Sequence, residues 1–329
     1  MQTIEPQISK EHLLEWVRSY GEDNSDAVLS PGIRTFSSPV ISGFIGYRQV
    51  GEVAIVFGDP VAQEADKFSL ASKFHAFCKQ QKFGLIFVAA SASFRDAVFP
   101  SLCSISLEFG EKCFFNPQDN PYDHHGDRGS LVRRKVRRAK GMGVTVHEYV
   151  EACAETETAL ENVVTGWLAS RKGRQIYLSA IALFSYRAGK RWFYAKAQEK
   201  VIGVLVLNRI EARSGWLLNH VMTVPEAPSG TSEALIIFAL ETVAKEGCEF
   251  VTVGSVPKSS LQSVQGIRGV IQLFVSGLYR ILVKTLNLMR LREFWSKFEP
   301  KAEPSLLLLG DVPFSLKALL SLLKGLHMK

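Results

Sequence analysis

No stretch of this chain reaches the roughly 18 uninterrupted apolar residues that a membrane-spanning helix needs, and no two cysteines stand at C-x-x-C spacing. The five cysteines, Cys78, Cys103, Cys113, Cys153 and Cys248, are scattered and odd in number. That excludes a zinc ribbon and a disulfide framework and suits a reducing compartment. The first residues, Met-Gln-Thr-Ile-Glu-Pro, lack the basic-then-apolar order of an export signal. A cytoplasmic protein with peripheral membrane association is expected. With 329 residues, 47% of them hydrophobic, there is core enough for one large domain or two, and disorder is excluded. The net charge of +7 fits a polyanionic partner without choosing one.

A second absence is more telling. From Ser130 to Gly141 there is no acidic residue, while Arg133, Arg134, Lys135, Arg137, Arg138 and Lys140 crowd twelve positions. Val132, Val136 and Ala139 recur at i, i+4 and i+7, so one stripe of a helix is buried and the rest is cationic. Ser130 reads as its cap and Gly141 as its end. Because no acid is present, ion pairs along the helix cannot be the reason for the charges. Nucleic acid or anionic lipid headgroups would neutralise them.

Along the rest of the chain, helix and strand patterns alternate. A helix capped by Ser9 and ended by Gly21 precedes a polar loop. Strands follow at 44–48 and 52–57, the second stopped by Gly58-Asp59-Pro60. Next come a helix carrying Leu70, Phe74, Phe77 and Cys78, a strand at 85–90, a short helix at 93–99 and a strand at 104–109. The stretch 116–129 reads as loop. Its Asp123, His124, His125 and Asp127 have metal-ligand chemistry, but adjacent histidines with no further ligand at suitable spacing read as solvated, and no metal is expected. From Val144 the order restarts: strand, helix through Leu160, Val163 and Val164, a hairpin turning at Gln198-Glu199-Lys200, a strand at 216–222, a helix at 231–246 and a strand at 250–253. Two successive sets of this kind predict an α/β fold of mixed sheets in two tandem domains, 1–142 and 143–329, with the basic helix near the join.

Gly269 to Trp295 is apolar but broken by Arg280, Lys284, Arg290 and Arg292. It reads either as an amphipathic helix lying on lipid, bent near Gly277, or as a core helix with a basic edge. Phe314 to Leu326 is a second segment of that kind.

Chemistry is expected around the strand 216–222. Strict alternation puts Trp216, Leu218, His220 and Met222 on one face and Asn219 on the other. The strand leads through Pro225 and Pro228 to Gly230, Thr231 and Ser232 at a helix start, where free backbone N–H groups can hold a phosphate or an oxyanion, or simply be capped. His220 is either a general base beside them or a histidine satisfied within a sheet.

This strand, turn and helix resemble the donor-binding core of the Gcn5-related N-acetyltransferase (GNAT) fold, although of the usual glycine-rich phosphate loop only Gly230 is present. A closer resemblance is to the catalytic domain of the phosphatidylglycerol lysyltransferase family, which has two such folds in tandem. It rests on Gly58-Asp59-Pro60, the basic helix, Gly166-Trp167-Leu168, Val253-Gly254-Ser255-Val256-Pro257, and Phe294-Trp295-Ser296-Lys297-Phe298 ahead of a final apolar strand. It implies transfer of an amino acid from aminoacyl-tRNA to a membrane lipid at a membrane surface. No cofactor is implied beyond the aminoacyl-tRNA co-substrate, and an aminoacyl-tRNA synthetase is a further expected partner. Where phosphatidylglycerol enzymes carry an Asp-x-Met-Arg type motif, this chain has Asn219-His220-Val221-Met222-Thr223. That departure, and the lack of a transmembrane portion, are similar to the fungal branch that esterifies the 3β-hydroxyl of a sterol (ergosterol), whose freestanding form is associated with glycine.

The resulting expectations assign Arg133, Arg134, Lys135, Arg137, Arg138 and Lys297 to tRNA, Gly230, Thr231 and Ser232 to the aminoacyl end, and His220 with Asn219 to proton relay. The alternatives are an acetyl-CoA-dependent N-acetyltransferase and a non-catalytic, membrane-associated RNA-binding module.

Overall fold

The structure, a computed structural model, describes residues 9–25, 32–171, 181, 183–184, 187–310 and 324–325. The first half runs α1 (Lys10–Tyr20), β1 (Arg34–Ser38), β2 (Ile41–Val50), β3 (Val53–Phe57), β4 (Val61–Ala62), α2 (Glu64–Gln80), β5 (Gly84–Ala90), α3 (Ala92–Val98) and β6 (Ile105–Phe115). The second runs α4 (Gly126–Gly141), β7 (Val144–Tyr149), α5 (Ala154–Ser170), β8 (Lys190–Ala197), β9 (Lys200–Ile210), β10 (Gly215–Thr223), α6 (Thr231–Lys245) and β11 (Val251–Pro257). The chain then adds β12 (Val264–Gln265), α7 (Gly269–Thr285), α8 (Met289–Ser296) and β13 (Lys301–Leu309).

Among the described residues all the strands join one mixed sheet in the order β1-β2-β3-β5-β13-β6-β11-β10-β9-β8-β7, with β4 on β2 and β12 on β6. The last strand does not end the sheet. β13 slots antiparallel between β5 and β6, pairing Leu308 with Phe87 on one side and Ser106 on the other. Along its other edge β6 pairs antiparallel with β11, Val256 opposite Glu111. The two halves are thus joined by ladder hydrogen bonds as well as by packing.

Helices cover both faces because each carries one apolar stripe. α2 and α3 place Leu70, Phe74 and Phe94 on a core with Tyr47, Phe87 and Leu308, while Val275 of α7 packs behind, with Ile55, Ile86 and Leu107. In the second half α4 and α6 share a core with Phe193, Leu205 and Leu218, and α5 packs Leu160 and Val163 on the other side against Trp192, Val206 and Met222.

Several local expectations need correction. The polar loop expected between Gly21 and residue 44 contains β1, whose ladder with β2 sets Phe36 opposite Ile45 as an apolar pair. The basic helix begins at Gly126, one turn before Ser130, with His125 at its cap position and no side-chain cap. It stops at Met142, and Gly143, at φ +79°, takes the left-handed turn. The Gly269–Trp295 segment runs straight through Gly277 and breaks instead after Thr285, where Asn287 adopts φ +54° and α8 leaves at 73° to α7. Most of Phe314 to Leu326 lies outside the described residues.

Candidate functional site

β10 and β11 pair in parallel only at Trp216–Val251 and Leu217–Thr252, and no further pair follows. β11 goes on along β6 to Pro257 while β10 follows β9 to Thr223. The strands therefore part, leaving a cleft where two sheet edges face each other. α6 begins at the β10 side of that cleft. Pro225 and Pro228 end the strand, and Gly230 turns the chain at φ +104° into the helix. The Thr231 hydroxyl donates to the Pro228 carbonyl at 2.7 Å.

The basic helix lies directly against this helix start. A side chain on Gly230 would meet the Lys135 carbonyl oxygen at 2.0 Å, so the two backbones are in contact only because the position is glycine. Lys135 Nζ donates to Ser229 Oγ at 3.0 Å. Gly230 and Thr231 are buried beneath α4, and Ser232 stays partly open. Within α4 the cations divide. Arg133 is drawn inward and donates to the carbonyls of Tyr122 and His124 at 2.8 and 2.6 Å, so it fastens the preceding loop. Arg134, Arg137, Arg138 and Lys140 point to solvent. His124, considered above as a ligand, lies 3.1 Å from Asp119 and 3.5 Å from Glu299.

Lys297, expected to reach a phosphate, is held by the protein itself. Its Nζ lies 2.5 Å from the Glu233 carboxylate in the first turn of α6 and 3.9 Å from the centre of the Phe294 ring. Burial pushes its pKa down, Glu233 opposes that, and the charge of nearby Lys135 adds to the depression. Glu233 was missed in the sequence. Its position two residues into the helix, where a carboxylate meets the positive end of the dipole, was the available signal.

Strict alternation along β10 fails at Asn219. Leu218 opposes Leu207 and His220 opposes Val206, so Asn219 is the extra residue of a β-bulge. Past it the faces exchange: Leu218 packs with α6, whereas Met222 packs with the α5 core. His220, opposite Val206 and two residues from Met222, shares that second face. The bulge thus separates His220 from Trp216 and Leu218, and from the face on which α4 and α6 lie. Enclosure by protein atoms lowers the His220 pKa to about 4, and Lys190 adds to the shift, so the imidazole is neutral at physiological pH.

Residues 16–308 match the family described as phosphatidylglycerol lysyltransferase, C-terminal. The chain belongs to that family. It is accordingly an aminoacyltransferase of the kind that uses aminoacyl-tRNA to modify lipid. No curated protein sequence matches the chain. Among solved structures it is similar to L-PGS from Bacillus licheniformis, at 17% identity and a TM-score of 0.79, covering 98% of this chain and 97% of that one. It is similar also to the C-terminal domain of a protein assigned as a lysylphosphatidylglycerol synthetase from Agrobacterium fabrum, at 20% identity and 0.77, covering 95% and 94%. FemX shares the fold at 9% identity and a TM-score of 0.50, over 97% of this chain and 99% of its own. The fold is the α/β, tandem acetyltransferase-like one read from the sequence.

In this member of the lysyltransferase family α7 also presents an exposed apolar stripe. Val270, Leu273, Phe274 and Ile281 lie at i, i+3, i+4 and i+11 along α7 and are exposed, Leu273 by 75%. Exposed Arg268, Arg280, Lys284 and Arg290 flank them. The inner side of α7 is fixed by Val275, Val283 and the Tyr279 hydroxyl, which donates to the Phe109 and Lys258 carbonyls. Among the described residues no single helix is long and apolar enough to cross a membrane.

Proposed function

We propose that this chain moves an amino acid from aminoacyl-tRNA to the hydroxyl of a membrane lipid, with the α4 cations gripping the tRNA and the cleft between β10 and β11 receiving its charged end. The observation that carries this reading is the contact of α4 with α6 at Gly230, which sets the cationic surface beside the cleft. Arg134, Arg137, Arg138 and Lys140 bind phosphates. Lys135 and Arg133 contribute charge while shaping the helix start and the loop. The division we assign, residues 1–142 and 143–329, falls at the end of α4, which packs with the second half's core.

The chemistry asks little of the protein because the donor ester is already activated. The lipid hydroxyl oxygen attacks the aminoacyl carbonyl carbon, a new ester bond forms, and the bond to the terminal ribose oxygen of the tRNA breaks. The hydroxyl proton ends on that ribose oxygen, passing through neutral His220, with Asn219 in the bulge beside it, or directly between the two oxygens. Ser232, the partly open residue of the α6 start, holds the tRNA end at the mouth of the cleft on the α4 side, and the ester carbonyl passes through the cleft to the face that carries His220. No cofactor takes part, since the charged tRNA is itself the co-substrate. Close cover of Gly230 and Thr231 by α4 supports this over an acetyl-CoA reaction, whose donor would need that helix start open.

The acceptor we assign is a sterol 3β-hydroxyl rather than phosphatidylglycerol, and the amino acid is glycine. Support for the sterol lies on β10, where Asn219 and Thr223 stand in place of an acidic and a basic residue. A neutral acceptor has no phosphodiester to be paired with an arginine. α7 docks the enzyme, laying its apolar stripe into the lipid and its cations at the headgroups, and a synthetase supplies the charged tRNA. The test is to incubate the protein with charged tRNAs and vesicles containing either ergosterol or phosphatidylglycerol and to analyse the lipids by mass spectrometry. Glycyl-ergosterol is the expected product. Lysyl-phosphatidylglycerol would correct the acceptor and donor, and RNA and vesicle binding without any product would leave only a binding module.

A further inference from the structure

Glu22 and Asp23 follow the end of α1, where Gly21 turns the chain so tightly that a side chain there would meet the Val17 carbonyl oxygen at 2.3 Å. This turn carries the two acids over the sheet. Val17, Gly21, Asp23, Asn208, Glu211 and Leu217 line a recess there. Asn208 on β9 is directly opposite Leu217 on β10, and His220 opposes Val206, two residues further along β9 on the same face. The recess and His220 are therefore about 7 Å apart along the sheet.

Asp23 is the unusual member. Its side chain is 2% exposed, and Lys112 Nζ lies 2.8 Å from its Oδ1. Oδ2 has no hydrogen-bond partner among the described residues. It faces Gly254, whose absent side chain would lie 3.5 Å from it, and Gly254 is on β11 just past the last residue paired with β10. The free oxygen thus looks into the cleft where the strands part. Glu22 stands at the rim, 3.4 Å from both Lys112 and Arg213.

A buried carboxylate oxygen with no donor calls for one from outside, and a compact ammonium with three N–H groups answers that need. We propose that this recess, closed by the Asp23 carboxylate with Glu22 at its rim, holds the α-ammonium of the amino acid being transferred. The inference rests on the transfer reading above and adds how the donor's amino acid is recognised. The span to His220 matches the distance from an ammonium, across the ester carbonyl, to a group facing the attacking hydroxyl. Every amino acid carries the α-ammonium, so the site selects a free amino terminus and is indifferent to side chain.

The test uses the full chain and hydrolysis-resistant stand-ins for the charged tRNA end, glycyl and lysyl amides of 3′-amino-3′-deoxyadenosine, each with its amino groups free or acetylated, measured by titration calorimetry. The free amines should bind at least about tenfold more tightly than their acetylated forms, as charge-assisted hydrogen bonds would give. Asp23→Asn should bring the ratio close to one. Because that change leaves Lys112 buried beside a neutral group, the pair Asp23→Asn with Lys112→Met is measured too, and the same collapse is expected. Equal binding of free and acetylated forms by the unaltered protein would overturn the ammonium site and leave the transfer reading standing. Binding by none of the compounds, together with no lipid product from charged tRNA, would overturn both.

Discussion

A methyl group at Gly230 would have to share space with the Lys135 carbonyl oxygen, at a backbone φ of +104° that residues with side chains rarely adopt. Gly230→Ala is therefore expected to cost about 2 kcal/mol or more. Gly126→Ala, at φ +83° but with open space around it, should cost only about 1 kcal/mol. Thermal unfolding of the two variants checks the difference, and equal losses would mean that α4 and α6 do not touch at Gly230. His220 gives a pH signature. Its pKa falls from an ordinary value near 6.5 to about 4 in the folded chain, chiefly through enclosure by protein. Between those values the unfolded state binds the proton and the folded state does not, so stability is lost as pH falls from 6.5 towards 4, by up to about 3 kcal/mol. His220→Gln should flatten that part of the stability curve, read by denaturant titration at several pH values. Residues such as these were partly legible in the sequence. His220 and Gly230 were visible as types in a suggestive order, but the bulge at Asn219 was not, because alternation assumes one residue opposite each partner. Nor was Asp23, whose neighbour Glu22 meets Lys112 from 90 positions away.

Among the elements, α4 was the most legible, since its buried stripe of Val132, Val136 and Ala139 is a local pattern and all three are buried as expected. Its start was misread by one turn because Gly126 and Gly129 look like loop. Gly129 is needed there for close approach, as a side chain would meet the His124 carbonyl oxygen at 2.0 Å. The division of labour along the helix sharpens the mutational test. Arg133 holds loop carbonyls, so reversing it would disturb the fold. Arg134, Arg137 and Arg138 are the informative set. Changing all three to Glu should weaken tRNA binding and lower its salt slope by about 3, with little change in thermal stability. α7 permits a parallel test. Leu273→Glu with Phe274→Glu adds charge to an exposed surface, so vesicle binding should be lost at unchanged melting temperature. Retained binding would move the lipid surface elsewhere.

At the scale of the molecule, the tandem repeat could be read from element order, yet the way the halves combine could not. β13 is a simple apolar strand in the sequence, and only the sheet shows it returning some two hundred positions to lie between β5 and β6, with Leu308 opposite Phe87. Strand pairing between distant segments leaves no local trace, whereas buried stripes do. The consequence is a single sheet in which the basic helix α4, the cleft between β10 and β11, and the outward stripe of α7 are held in fixed relation. That arrangement is what a transfer between a soluble nucleic acid and a lipid surface requires. The most direct measurement is to supply purified protein with tRNA charged with radiolabelled amino acid, together with ergosterol- or phosphatidylglycerol-containing vesicles, and follow the label into the lipid fraction. The account predicts a labelled lipid whose formation is abolished by ribonuclease and by reversal of Arg134, Arg137 and Arg138. Label that stays on tRNA with every amino acid and both lipids would contradict it.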